Sequence, residues 1–241
     1  MADYGLSVNN DYGSTVISSD YKIMVFSERG TFNITSRFSD AEGNGSVTFN
    51  KPITTQEPPQ VFVRFVSGVH TDLSLYTGLY GGPGNWTGFI VVSAAQGGSN
   101  LQNYNLEYVS CMYSNLRSKS GYGLELFDYQ GNPIYSSSDN VVRFSKFSRS
   151  WTLIQGNQVD YYDSGLTIDN DDFISISSLD RGVSWFTGHS HFAGLNLLSG
   201  GVRKLRINNN IIPGDWYYQG TNNTCLAIPV CKFPPARYFN T

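Results

Sequence analysis

Apolar and polar residues alternate with a period of two along most of the chain, and no segment carries the 3.6-residue stripe of an amphipathic helix. Val, Ile, Phe, Tyr and Thr dominate the alternating runs, for example at 61–66, 104–113, 141–147 and 151–154. Turn sequences rich in Gly, Asn, Asp and Pro separate these runs, which is typical of β-sandwiches and barrels. We therefore predict an all-β fold with almost no helix.

A segment near the N-terminus recurs near the middle of the chain. Residues 4–27 align without a gap on residues 122–145, and the identical pairs are Tyr4/Tyr122, Gly5/Gly123, Leu6/Leu124, Gly13/Gly131, Ser18/Ser136, Ser19/Ser137, Phe26/Phe144 and Ser27/Ser145. The shared residues predict a strand, a turn closed by glycine, a returning strand that ends in two serines, and a third strand.

The offset between the two copies nearly halves the chain. We therefore predict an internal duplication that produces two similar β-sandwich domains, residues 1–118 and 119–241. The alternative is that one common type of hairpin occurs twice in a single large sandwich.

The charge balance argues against two classes of partner. Charged residues make up 15% of the chain and the net charge is −3, so no excess of Lys or Arg is present to displace counterions from a nucleic acid. No apolar run approaches the length of a spanning helix, and residues 1–4 lack the basic and apolar start of a signal peptide. We expect a chain that is made in the cytoplasm, binds no nucleic acid and does not span a membrane.

The sequence contains no nucleophile elbow, phosphate loop or zinc-protease motif. The acidic run 169–172 lacks the Gly and Glu of a calcium loop and predicts a turn before a strand. Cys111, Cys225 and Cys231 form no Cys-x-x-Cys motif and are predicted to be buried thiols. We therefore expect a protein that is not an enzyme.

His189 and His191 lie two positions apart on a predicted strand, so their side chains are expected on one face. Two neutral imidazoles suit iron, nickel, zinc or copper, but two ligands do not complete a site. A three-fold axis beside the strand would supply six. The alternative is that both residues face solvent or a hydrogen-bonded interface.

Aromatic residues in or beside loop-like segments are candidates for recognition, because rings stack on sugars and anchor protein interfaces. They are Trp216, Tyr217, Tyr218, Tyr161, Tyr162 and Trp86. Packing is the alternative, because a β protein poor in Leu and Ala must fill its core with aromatic rings.

The segment from Tyr4 through Gly13 to Ser19 resembles the opening of tail-tip, minor tail and tail-fibre proteins of tailed bacteriophages. Those proteins often begin with Gly-Leu-x-Val, a polar turn with Gly and a strand ending in Ser-Ser. The second copy, from Tyr122 to Ser137, is at least as similar, whereas the rest of the chain matches only in its aromatic, Gly/Ser/Asn-rich style. Heptads and fibrous repeats are missing, which favours a compact tail-tip or baseplate component over a fibre shaft.

The resemblance implies a structural component of the virion tail that assembles as a homo-oligomer, expected to be a trimer, with other tail proteins as partners. Trimeric phage fibres use His-x-His pairs around a central iron, so the resemblance makes His189 and His191 candidate ligands of iron or another transition metal. Two alternatives stay open: recognition of a bacterial surface polysaccharide or outer-membrane receptor through the aromatic loops, and, more remotely, a polysaccharide depolymerase.

Overall fold

The chain is described by a computed structural model at residues 7–9, 15–18, 22–37, 42–67, 73–95, 104–113, 123–128, 130–131, 133–154, 159–177, 193–197, 204–210 and 227–240. Of these residues 70% lie in strands and none lies in a helix. The predicted all-β class is therefore confirmed. No described segment is a helix long and apolar enough to cross a membrane.

The strands are 3 to 14 residues long. In chain order they are β1 (Ser7–Asn9), β2 (Thr15–Ser18), β3 (Met24–Arg37), β4 (Glu42–Ile53), β5 (Gln60–Ser67), β6 (Leu73–Gly82), β7 (Asn85–Ala95), β8 (Tyr104–Tyr113), β9 (Glu125–Phe127), β10 (Pro133–Ser136), β11 (Phe144–Ser148), β12 (Thr152–Ile154), β13 (Val159–Thr167), β14 (Asp172–Ser175), β15 (Ala193–Leu197), β16 (Lys204–Asn210) and β17 (Ile228–Lys232).

A single open sheet contains 13 of these strands, in the order β11-β17-β14-β5-β8-β3-β4-β7-β6-β15-β16-β13-β12. The pairs β1–β2 and β9–β10 form separate two-stranded sheets. β3 and β4 pair at Thr35–Arg37 with Glu42–Asn44, which joins the half from β11 to β3 to the half from β4 to β12. All the described ladders are antiparallel.

The main core lies between these two halves of the sheet. On β5, Val63 faces the main core, whereas the neighbouring Phe62 packs on the opposite side. The ring of Phe89 on β7 lies 5.5 Å from Phe32 on β3 and 5.2 Å from Tyr108 on β8. Because β7 and β8 are not neighbours in the sheet, this contact requires the two halves to pack face to face.

A bulge in β3 brings a carboxylate into the main core. The register shifts between Phe26 and Glu28, and Glu28 is only 6% exposed. The Tyr108 hydroxyl donates to Glu28 Oε1 at 2.6 Å, and the Asn50 backbone N–H donates to Oε2 at 2.9 Å. Burial raises the pKa of Tyr108, and the hydrogen bond to Glu28 raises it further, so the phenol remains a proton donor.

The segment after β17 covers the opposite face of β3 and β8. Phe233 and Tyr238 pack there in an outer core that also contains Phe26, Phe62, Val109, Cys111, Val142, Phe173 and Cys231. The Arg29 guanidinium pairs with Glu107 and donates to the carbonyls of Phe233 at 3.2 Å and Tyr238 at 2.9 Å. Arg29 therefore fastens the C-terminal segment to the sheet. Cys111 and Cys231 are buried thiols, as predicted.

Strands from both sides of the predicted boundary at 118/119 pair within the large sheet. β14 pairs with β5, and β15 pairs with β6. These two ladders link the two halves of the chain within one sheet. Duplication of a whole domain is not shown by these pairings and stays a prediction.

The repeated segment, in contrast, forms the same hairpin twice. β1 and β2 pair at Ser7↔Ser18, Val8↔Ile17 and Asn9↔Thr15, and β9 and β10 pair at Glu125↔Ser136, Leu126↔Tyr135 and Phe127↔Pro133. Each residue pair of the second hairpin corresponds, in the alignment of the repeat, to a pair of the first. The register shift also falls at the equivalent place in both. The predicted strand and returning strand are therefore present in both copies.

The shared glycines and serines have a structural reason in the second hairpin. Ser137 Oγ accepts the Leu124 backbone N–H at 3.0 Å, and a Cβ on Gly123 would lie 2.6 Å from the same Oγ. Only glycine leaves room for this serine. Gly131 closes the turn with a φ of 84° and donates its N–H to the Asp128 carbonyl at 3.0 Å. The Gly-Leu and Ser-Ser parts of the motif thus close the hairpin.

Candidate interaction surface

β11 lies at one end of the large sheet and pairs only with β17 among the described strands. Phe144 and Phe147 are three positions apart, so a regular strand would place them on opposite faces. A register shift between Phe144 and Lys146 changes this, and the two rings meet edge to face with their centroids 6.4 Å apart. The rings are 52% and 43% exposed, so this edge presents an aromatic pair.

Cations surround the aromatic pair. Residues 141–158 contain Arg143, Lys146 and Arg149 and no Asp or Glu. The Arg149 guanidinium lies 5.5 Å from the centroid of the Phe147 ring, a favourable cation–π contact. Arg143 and Arg149 are exposed, and neither forms an ion pair with another described residue. Two positive charges at this edge are therefore unneutralised within the described part of the chain.

Lys146 is neutralised by the turn that precedes β14. Its Nζ donates to Asp172 Oδ2 at 2.6 Å, to Asp169 Oδ2 at 2.9 Å and to the Thr167 carbonyl at 2.8 Å. Burial opposes the charge, but the hydrogen bonds to Asp172 and Asp169 outweigh it and raise the pKa of Lys146. Because Thr167 ends β13, this contact ties β11 to the strand that pairs with β12.

The acidic run forms the predicted turn before β14. The carboxylates of Asp169, Asp171 and Asp172 lie within 4.8 Å of one another. Lys232 Nζ lies 2.7 Å from Asp171 Oδ1 and 3.4 Å from Asp169 Oδ2, and Lys146 bonds the other side of the cluster. A hydrogen bond from Lys146 lowers the pKa of Asp169. Two ammonium groups thus bind three carboxylates in an ion-pair network.

β12 lies at the other end of the large sheet and pairs only with β13 among the described strands. Leu153 and Ile154 are neighbours on this strand, so their side chains point to opposite faces. They are nevertheless 46% and 41% exposed, so each face of β12 is partly open to solvent. Trp151 packs against the main core between β11 and β12. A single continuous segment, 144–154, thus contains both end strands of the large sheet as it is described.

The β9–β10 hairpin presents a third exposed apolar surface. Leu124 and Phe127 are 53% and 49% exposed, and Glu125 lies exposed between them. β9 pairs only with β10 among the described strands. An isolated two-stranded hairpin is marginally stable in water, so a partner strand against β9 would stabilise it.

Most of the residues predicted as a site lie outside the described part of the chain. This applies to His189, His191, Trp216, Tyr217 and Tyr218. The metal hypothesis and the main aromatic recognition hypothesis therefore stay predictions.

The remaining predicted aromatics fall in strands. Trp86 packs against the main core and donates its indole N–H to the Thr55 carbonyl at 3.0 Å. Tyr162 also packs against the main core, and Tyr161 precedes it in β13, paired with Asn208. The described contacts of Trp86 and Tyr162 are thus packing contacts and do not bring these rings together with an exposed patch.

Period-two alternation predicts strands at 141–147 and 151–154 but does not reveal that they become sheet edges. Edge position depends on which distant strands pair, and here the partners of β11 and β12 lie on β17 and β13. One local signal was present: a run of cations without an acid flanks both strands, and charged side chains are common on natural edge strands.

Comparison of the chain with family models, with curated proteins and with solved structures finds no match.

Proposed function

We propose that this chain is a structural component of a bacteriophage tail and that its role is to join neighbouring subunits through strand edges. The observation that carries the proposal is segment 144–154, in which two strand edges that have no partner among the described strands expose large apolar side chains: Phe144, Phe147, Leu153 and Ile154. The proposal involves no chemistry by the chain itself.

Unpaired strand edges favour assembly on physical grounds. An edge presents free backbone N–H and C=O groups, which bond readily to another strand, and natural proteins that act alone usually protect such edges. Here each edge also exposes apolar side chains, whose removal from water is favourable on contact with a neighbour. A subunit of a regular assembly has a fixed neighbour to cover them.

The location in a phage tail is supported by the repeated motif. The hairpin β9–β10 carries the Gly-Leu, turn-Gly and Ser-Ser elements by which the chain resembles tail-tip and tail-fibre proteins, and the sequence around β1–β2 repeats them. A fold dominated by antiparallel ladders and buried aromatic rings also suits a component that must persist outside the cell without turnover.

Immunogold electron microscopy on purified particles of the phage that encodes this sequence tests the proposal. Antibodies raised against the purified chain should label the tail, and mass spectrometry of the same particles should detect its peptides. Antibodies against a capsid protein provide the matched control for label position. Particles without the chain, or label confined to the capsid, would contradict the proposed function.

A further inference from the structure

We infer that the β9 edge of one copy docks onto the β11 edge of a second copy of this chain. The inference deepens the proposed function, on which it rests, by naming both the partner and the contacting strands. It follows from the way in which charge and exposed apolar residues are divided between two neighbouring segments.

The two segments carry opposite charge. Residues 120–142, which contain the β9–β10 hairpin, include Glu125, Asp128 and Asp139 and no Lys or Arg. Residues 141–158, which contain β11 and β12, include three cations and no acid. Glu125 on β9 and Arg143 and Arg149 beside β11 are exposed and form no ion pair with another described residue. The charges that remain to be balanced on one edge are therefore opposite to those on the other.

The apolar residues match in the same way. β9 exposes Phe127, and Leu124, the residue before this strand, is also exposed. β11 exposes Phe144 and Phe147. In an antiparallel contact that sets Phe127 against Phe144, the neighbouring Asp128 falls beside Arg143, and Glu125 lies toward the end of β11 that carries Lys146 and Arg149. Cross-strand aromatic pairs and opposite-charge pairs both stabilise a sheet.

Docking of like edges is disfavoured by the same charges. Pairing β11 with β11 would set the cations of one copy, Arg143, Lys146 and Arg149, against the cations of the other. Pairing β9 with β9 would likewise bring two Glu125 carboxylates to the same contact. Like charges opposite one another destabilise a sheet. Within one chain β9 is bonded to β10 and β11 to β17, in separate sheets. The complementary edges therefore fit between copies.

A contact between two different surfaces of identical chains is head-to-tail. Such a contact closes into a ring when the rotation between copies allows it and grows into a filament when it does not. A closed trimer is the ring that the resemblance to phage tail proteins implies.

Sedimentation velocity of the full chain tests the docking by charge reversal. Glu125→Lys, and separately the double change Arg143→Glu with Arg149→Glu, should each weaken association by about tenfold or more, because each sets like charges across the contact. The triple variant that combines all three changes restores opposite charges and should associate within about threefold of wild type. Lys51→Glu, an exposed cation on β4, is the matched control and should leave association unchanged.

The outcomes separate this inference from the proposed function. The β9–β11 contact would be overturned if neither charge reversal weakened association, or if the triple variant were folded but stayed dissociated. In either case antibodies could still label the phage tail, so the proposed function would stand. A wild-type chain that never associates would also overturn the contact. Thermal unfolding checks that each variant is folded, and if a reversal unfolds the chain, Glu125→Gln and Arg149→Gln should weaken association in the same direction.

Discussion

Met24 and Val142 occupy equivalent positions of the sequence repeat, and they lie opposite one another at an isolated antiparallel contact. The Val142 N–H donates to the Met24 carbonyl at 3.0 Å, next to the bridge between Val25 and Val141. An antiparallel contact centred on equivalent residues gives the backbone around Met24 and Val142 a local two-fold relation. Equivalent residues of the two copies therefore contact each other at the start of β3 and just before β11.

The buried hydrogen bond between Tyr108 and Glu28 should contribute to stability. Tyr108→Phe removes the donor and leaves Glu28 Oε1 without it inside the main core, so we expect a loss of about 1–3 kcal/mol in the free energy of unfolding. Urea denaturation measures this loss. Tyr80→Phe, at an exposed position, is the control and should cost far less; equal effects of the two changes would show that the hydroxyl of Tyr108 contributes nothing.

Glu107 should make the fold sensitive to acid. Burial raises the pKa of Glu107, but the hydrogen bonds from Arg29 and Arg64 outweigh burial and hold it below the ordinary value of 4.5. A lowered pKa in the folded state stabilises the protein at pH values above 4.5, and this contribution is lost as the pH falls through the lowered value. Glu107→Gln should cost about 3 kcal/mol at pH 7 and reduce the loss of stability on acidification.

Denaturation curves at several pH values between neutral and acidic test this expectation. Glu125→Gln, which removes an exposed carboxylate on β9, is the matched control, and both variants are measured at concentrations where the chain is monomeric. A Glu107→Gln variant whose stability falls with acid as steeply as that of wild type would contradict the role of the Arg29–Glu107–Arg64 network.

Gly123 should be required for the second hairpin. Alanine there would place a Cβ 2.6 Å from Ser137 Oγ, so we expect Gly123→Ala to open the hairpin or displace the serine. Faster amide hydrogen exchange at Leu124, whose N–H bonds to Ser137, is the direct readout. Gly82→Ala, where a Cβ would meet no atom within 4 Å, serves as the control. Unchanged exchange at Leu124 would refute the steric explanation of the motif.

The aromatic pair on β11 should matter for association and not for folding. Phe147→Ser removes one ring of the exposed pair and the cation–π contact with Arg149, so we expect weaker self-association with a melting temperature within a few degrees of wild type. Phe239→Ser is the matched control, because Phe239 is similarly exposed, at 51%, but belongs to the C-terminal segment and not to β11. Equal effects of the two changes would mean that association depends on general surface hydrophobicity and not on the aromatic pair of β11.

The sequence predicts those parts of the molecule that depend on neighbouring residues. Period-two alternation predicts the strands, and the spacing of Gly131 and Ser137 predicts the hairpin, because turns and two-stranded pairs are local. The bulges at Phe26–Glu28 and Phe144–Lys146 are not predicted, since alternation assigns each residue to a face without knowledge of an inserted residue. These two bulges bury Glu28 and bring Phe144 onto Phe147.

The pairing of strands that are distant in the chain cannot be predicted from the sequence, for a different reason. Any strand with a suitable alternation can pair with any other, so nothing in the residues of β14 indicates that it lies beside β5. The same limit applies to aromatic rings. Trp86 was a candidate for recognition and packs against the main core, because Trp is large and amphipathic enough for either role.

The most direct test of the proposed self-assembly is the particle mass of the purified wild-type chain, measured by gel filtration with light scattering over a range of dilutions. We predict an oligomer at high concentration, with a mass that is an integral multiple of 26.7 kDa and is three-fold for the expected trimer. A particle of 26.7 kDa at every concentration would contradict the account.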